Sequence, residues 1–298
     1  MHKILIFSIF ILSLLGLNTE TQAQERYFPY PTPPENLVRL DERCNYLIYH
    51  FWDHCNFKNA FSSLPKMKSA FGDFISFMPY ATADTAFMAV DELLGKVKKS
   101  HKNTLAIVKM AESYLYCDTA QYYSEQLFLP FAKAAANHKK IPNEEKRYYS
   151  RISKILESSQ VGMRAPDIKF TQADGSISSL SQHATPMVIL LFTTPDCEGC
   201  NLAKLRLSAD YALNRMIEDG RLNIINIYPS EATPEVIDAM GSTPSNWISG
   251  AAPDASEYFE LEDNIPYIVY LARNMTIRGK GFSVDDIINS FQGHMLKQ

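Results

Sequence analysis

The chain has 298 residues, long enough for one large domain or two, and is 46% hydrophobic and 21% charged. That balance is close to the globular average and excludes global disorder and a collagen-like fibre. A formal net charge of −4, with Lys and Arg spread along the chain, excludes the basic footprint of a nucleic-acid binder.

The first residues read as a targeting segment. Lys3 precedes an apolar run from Ile4 to Leu17, which is short of the roughly 20 residues a membrane span needs but suits a secretory signal. Thr21 and Ala23 put small residues at the −3 and −1 positions of a cleavage site, so residues 1–23 are predicted to be a signal peptide. An uncleaved anchor is the alternative. Either way the rest is expected to be exported, to the periplasm or cell envelope, where disulfides form.

Residues 24–34 are a Pro-rich leader, because Pro29, Pro31, Pro33 and Pro34 each fix φ and disfavour helix before them. Residues 35–158 carry helical spacing: Leu47, Ile48, Phe51 and Cys55, then Phe71, Phe74 and Met78, then Phe87, Val90 and Leu93. About six helices are predicted, with Asn103 as one N-cap and Pro142 in the first turn of another. The aromatics crowding this half, Tyr49, Phe51, Trp52 and Phe74 among them, read as core. His50 and His54 share the spacing of paired zinc ligands, but no third ligand is evident and no metal is predicted.

After Val161 the pattern changes. Asp174-Gly175 sits between two short apolar stretches as a hairpin signal. Met187 to Phe192 is a continuous apolar run, as a strand buried on both faces reads. Leu202, Leu205, Ala209, Leu213 and Met216 then step as one amphipathic helix. Leu222 to Tyr228, Tyr267 to Leu271 and Met275 to Arg278 are further strands, and Val284 to Phe291 a closing helix. The order predicts an α/β domain over 161–298, a mixed sheet flanked by helices, behind an all-α domain.

Between the buried strand and the helix stands Cys197-Glu198-Gly199-Cys200. A thiol at a helix N-terminus meets unpaired N–H groups and the positive end of the dipole, which stabilise its thiolate. A second thiol one turn on is close enough to close a disulfide. Cys197 is predicted to be the attacking sulfur and Cys200 the sheltered resolving one. A structural disulfide and half of a zinc site are the competing readings; the second lacks two further ligands. The carboxylates of Asp196 and Glu198 oppose thiolate formation, which makes the dithiol a better reductant.

Residues 161–298 resemble the thioredoxin-like domains of exported, reducing thiol oxidoreductases of the TlpA/ResA type. The likeness rests on Val161 to Asp167, the Asp174-Gly175 hairpin, Ser179 to Ser181, and the core strand followed by Cys-x-x-Cys. It implies a cis-proline at Ile265-Pro266 whose backbone pairs with an extended substrate. It also implies protein disulfides as substrates, a membrane or envelope electron donor, and no cofactor beyond the Cys197–Cys200 pair. Apart from the resemblance, the lone position of Trp247 in a loop-rich insert leads to the expectation that it walls the site. The sequence departs from the pattern in having Asp196 before the first Cys, Glu-Gly between the two, and Leu191 where thioredoxin buries an acid. Peroxiredoxins share the Thr-x-x-Cys of Thr194 to Cys197 but carry a Pro where this chain has Leu190.

The helical half resembles an uncharacterised domain that precedes thioredoxin-like domains in exported bacterial proteins. The alternative function is therefore a binding or scaffold protein with an inert Cys-x-x-Cys. Two of the five cysteines form the pair, so Cys44, Cys55 and Cys117 include at least one free thiol or intermolecular link.

Overall fold

A computed structural model describes residues 26–295 apart from 118 and 263; the predicted signal peptide lies outside the described residues. Six helices occupy the first half: α1 Leu40–His50, α2 Leu64–Ser76, α3 Ala83–Val97, α4 His101–Leu115, α5 Glu125–Asn137 and α6 Asn143–Ser158. They close on one apolar core in which Ile48, Phe51, Phe71, Phe74, Leu93 and Phe131 are fully buried. The Pro-rich leader is fastened to it. Phe28 packs 5.5 Å from Trp52, and the Tyr30 hydroxyl donates to Asp73 at 2.7 Å.

Three sequence expectations change here. Helix α1 stops at His50 and the chain turns through 51–54, so His54 and Cys55 fall beyond the helix. His50 instead meets Asp53 at 2.8 Å, and no metal-binding cluster occurs among the described residues. Ser100, not Asn103, caps α4: its Oγ accepts from the Asn103 amide at 3.3 Å, which makes Asn103 the third helical residue. Tyr49 points to solvent rather than into the core.

The second half is built on a seven-stranded sheet in the order β2-β1-β5-β4-β3-β6-β7. The strands are β1 Lys169–Thr171, β2 Ile177–Ser179, β3 Met187–Phe192, β4 Leu222–Tyr228, β5 Ile248–Ala251, β6 Tyr267–Ala272 and β7 Thr276–Lys280. The trio β5-β4-β3 is parallel, and β6 runs antiparallel to β3. Strand β3 is buried on both faces. Val188, Leu190 and Phe192 pack with Ile225, Ile227 and Val269, while Ile189 and Leu191 join Ile224 and Ile268 on the other side. That second face is covered by α7 Glu198–Ala209, α8 Tyr211–Glu218 and α10 Val284–Met295 through Leu207, Leu213 and Ile287. Helix α9, Pro234–Gly241, starts at its N-cap Thr233.

The single helix expected from Leu202 to Met216 is two. Asp210 ends α7 and caps α8, its Oδ1 accepting from the Leu213 amide at 2.9 Å. The facing of α7 also differs from the expected stripe. Leu202 and Leu205 are exposed, whereas Ala203, Lys204 and Leu207 are buried. Lys204 can be buried because its aliphatic stem packs as a hydrocarbon.

The two halves meet along α6. Arg151 pairs with Glu262 at 2.8 Å and Lys154 with Glu257 at 2.5 Å. A third pair, Lys280–Glu125 at 2.7 Å, is largely shielded, with side chains 8% and 11% exposed.

Candidate active site

The central strand β3 delivers the chain to the Cys-x-x-Cys motif. After Phe192, Asp196 takes a left-handed φ of 54°, a conformation Asp tolerates better than most residues. This turn sets Cys197 as the N-cap of α7, and its Sγ accepts from the Cys200 amide at 3.1 Å. A thiolate formed at Cys197 would find that amide in place, together with the helix dipole.

Cys197 and Cys200 are joined as a disulfide. Their exposure is unequal: Cys197 is partly open to solvent and Cys200 is fully buried. An incoming thiol therefore reaches Cys197 first. Asp196 and Glu198 flank it as exposed carboxylates.

The Ile265–Pro266 peptide bond is cis. Its ring lies against the redox loop, because a Cβ built on Gly199 would stand 3.5 Å from the Pro266 Cδ. The structure thus brings Cys197, Cys200, Glu198, Ile265 and Pro266 to one place. It does not bring Trp247 there. Trp247 immediately precedes β5, which pairs with β4 from Ile225 onward, so its ring is mid-sheet in the apolar layer of Leu213, Met216 and Ile224. The indole is 7% exposed and is a core residue.

No acid lies under Cys200 at position 191, where Leu191 is fully buried. Thr193 and Asn226 are in phase with Leu191 and Ile224 on the sheet face that α7 covers. The Thr193 hydroxyl donates to the Asn226 carbonyl at 2.9 Å, and the Asn226 amide nitrogen is buried without a partner.

Beyond Pro266 the surface opens into a cleft of about 620 Å³ between the two halves. The sheet side contributes Ile265, Pro266, Tyr267, Glu260 and Lys280; the helical side contributes Tyr116, Tyr123 and Glu125. The Tyr116 hydroxyl donates to Glu260 at 2.5 Å, and the Tyr123 hydroxyl to Glu125 at 3.1 Å. Burial, and then the neighbouring carboxylates, push the Tyr116 and Tyr267 hydroxyls far above the usual phenol range, so both stay protonated donors. The sequence marks Ile265 and Pro266 but not Tyr116, Tyr123, Glu125, Glu260, Tyr267 and Lys280. They come from segments more than a hundred residues apart, and no local motif marks them.

The sheet order and flanking helices of the second half define a thioredoxin-like fold. The chain is similar over 90% of its length to a thioredoxin-like protein from Bacteroides caccae, with 22% identity, 99% of that chain covered and a TM-score of 0.69. The chain also aligns with a conserved protein of unknown function from Bacteroides fragilis (26% identity, 44% of this chain and 98% of that one, TM-score 0.42). A third match is the thioredoxin domain of a thiol-disulfide oxidoreductase from Bacteroides vulgatus (20% identity, 46% and 99% covered, TM-score 0.39). Residues 16–159 match the model of a domain of unknown function, DUF5106. No curated protein matches. No described helix is long and apolar enough to cross a membrane.

Proposed function

We propose that this protein is an exported thiol:disulfide oxidoreductase of the TlpA/ResA type that reduces protein disulfides. In this reading a cleaved signal precedes a helical domain and the redox domain. The observation that carries it is the partly exposed Cys197 at the N-cap of α7, bonded to a buried Cys200, in a loop whose Gly199 lies against the ring of the cis Pro266.

The chemistry balances as two thiol–disulfide exchanges. The Cys197 thiolate attacks one sulfur of the substrate disulfide; that bond breaks, and the other substrate sulfur leaves as a thiolate and takes a proton. Cys200, losing its proton, then attacks the Cys197 sulfur and releases the second substrate thiol. Two electrons and two protons pass to the substrate, and the Cys197–Cys200 disulfide remains. An envelope dithiol donor restores the dithiol by the reverse exchanges. Ile265 offers its backbone edge to an extended substrate. Asp196 and Glu198 bias the pair toward reduction of others by opposing the thiolate.

Insulin reduction by the full chain, with dithiothreitol as donor, tests this. Cys197→Ser should abolish turnover, and Cys200→Ser should trap mixed disulfides with envelope proteins. A reduction potential above about −150 mV, in the oxidase range, would overturn the reducing direction.

A further inference from the structure

The cleft beside Pro266 has walls from both halves and an unbalanced charge. Of its two carboxylates, Glu125 is held by Lys280 at 2.7 Å in a shielded ion pair. Among the described residues, Glu260 receives only a neutral donor there, the Tyr116 hydroxyl. One formal negative charge therefore remains uncompensated inside an aromatic enclosure of Tyr116, Tyr123 and Tyr267. Tyr123, 58% exposed, stands at the mouth.

We propose that this cleft receives an arginine or lysine side chain of the substrate, so that the preferred substrates carry a basic residue close in sequence to the disulfide. The proposal rests on the oxidoreductase reading and adds a substrate class to it. Tyrosine faces attract cations, and a carboxylate in a partly desolvated site forms a strong charge-assisted hydrogen bond with a guanidinium or ammonium. An acidic side chain would meet Glu260 and find Lys280 already engaged. The position fits an extended peptide: a strand advances about 3.3 Å per residue, so one lying along Ile265 carries neighbouring side chains past Pro266 into the cleft. The exposed carboxylates of Asp196 and Glu198 add to the same preference on the redox side of Pro266. The helical half is then part of substrate selection, since Tyr116, Tyr123 and Glu125 belong to it.

The test uses the full chain and two readouts. In the first, the disulfide form is titrated into fluorescein-labelled Gly-Ser peptides bearing one Arg or one Glu, read by anisotropy. In the second, the pre-reduced chain reduces matched disulfide peptides with Arg or Glu beside the cysteine, in a single turnover. Binding and rate should each favour Arg by about tenfold or more. Glu260→Gln, which keeps an acceptor for Tyr116, should reduce that ratio several-fold, and Tyr123→Ser should reduce it too. Glu235→Gln, on α9 away from the cleft, should leave it unchanged. Equal binding of the two peptides, or a ratio indifferent to Glu260→Gln, overturns the proposal even if both peptides are reduced. A tenfold binding preference without any disulfide reduction supports the cleft's assignment and removes the oxidoreductase reading instead.

Discussion

Gly199 and Pro266 stand face to face across the redox site, with room for one methyl group between them: a Cβ on Gly199 would lie 3.5 Å from the Pro266 Cδ. That is ordinary van der Waals contact. Gly199→Ala should therefore fold normally and melt no lower than the parent, since Ala gains up to about 1 kcal/mol over Gly in a helix. Gly199→Phe should keep the fold but cut insulin reduction at least tenfold, because its ring would fill the approach to Cys197 over Pro266. Calorimetry and turnover assays separate the two effects. Undiminished turnover in Gly199→Phe would mean that substrates approach from elsewhere.

The Glu125–Lys280 pair makes a stability prediction. Removing one partner of a shielded ion pair leaves the other charge uncompensated, at a cost of about 3 kcal/mol. Lys280→Met should lose that much in urea unfolding, and the double variant Glu125→Gln/Lys280→Met should recover most of it. A double variant as unstable as the single one would show that the loss is steric.

His183 sets a pH dependence. Burial holds its imidazole below the usual range, and its Nε2 lies 2.7 Å from the Ser178 hydroxyl. The unfolded histidine takes up its proton near pH 6.5, whereas the folded one does so only at lower pH. Between those points the unfolded state binds more protons, so stability falls as pH drops through about 6.5. His183→Gln should flatten that part of the profile in denaturant titrations between pH 7.5 and about 5.5. An unchanged slope would remove His183 from the account.

The thiols should react in a set order. Cys44, Cys55 and Cys117 are free, and burial pushes the Cys55 thiol up to about 11. At pH 8 only about one Cys55 in a thousand is a thiolate. Burial raises the Cys44 thiol as well. After reduction, iodoacetamide should modify Cys197 first and Cys44 and Cys55 last, as followed by peptide mass spectrometry. Labelling of Cys55 at the rate of Cys197 would contradict the burial described for it.

The redox loop was legible in the sequence because all its parts are local. Strand β3, Cys197, Cys200 and α7 follow one another within a short stretch, and the pairing of an apolar run with a helix-opening thiol needs no long-range contact. Strand β5 was not legible, because Ile248–Ala251 is short and contains Gly250. That glycine is set by tertiary contact: a Cβ there would meet the Phe170 ring at 2.3 Å. The facing of α7 departs from its leucine spacing because Lys204 is buried while Leu202 and Leu205 are exposed. The cleft was invisible for the same kind of reason. Tyr116 and Glu260 are 144 positions apart, and only the docking of α6 on the second half makes them neighbours.

The position of the Lys280 counter-charge bears on how the protein can be divided. A C-terminal half cut free near residue 160 would keep its disulfide and its cis-proline, yet lose Glu125 from Lys280 and two tyrosines from the wall beyond Pro266. Its redox centre would border open water on one side. On the proposed function, such a fragment should act on a broader range of disulfides than the intact chain, whose helices supply the far wall of the cleft.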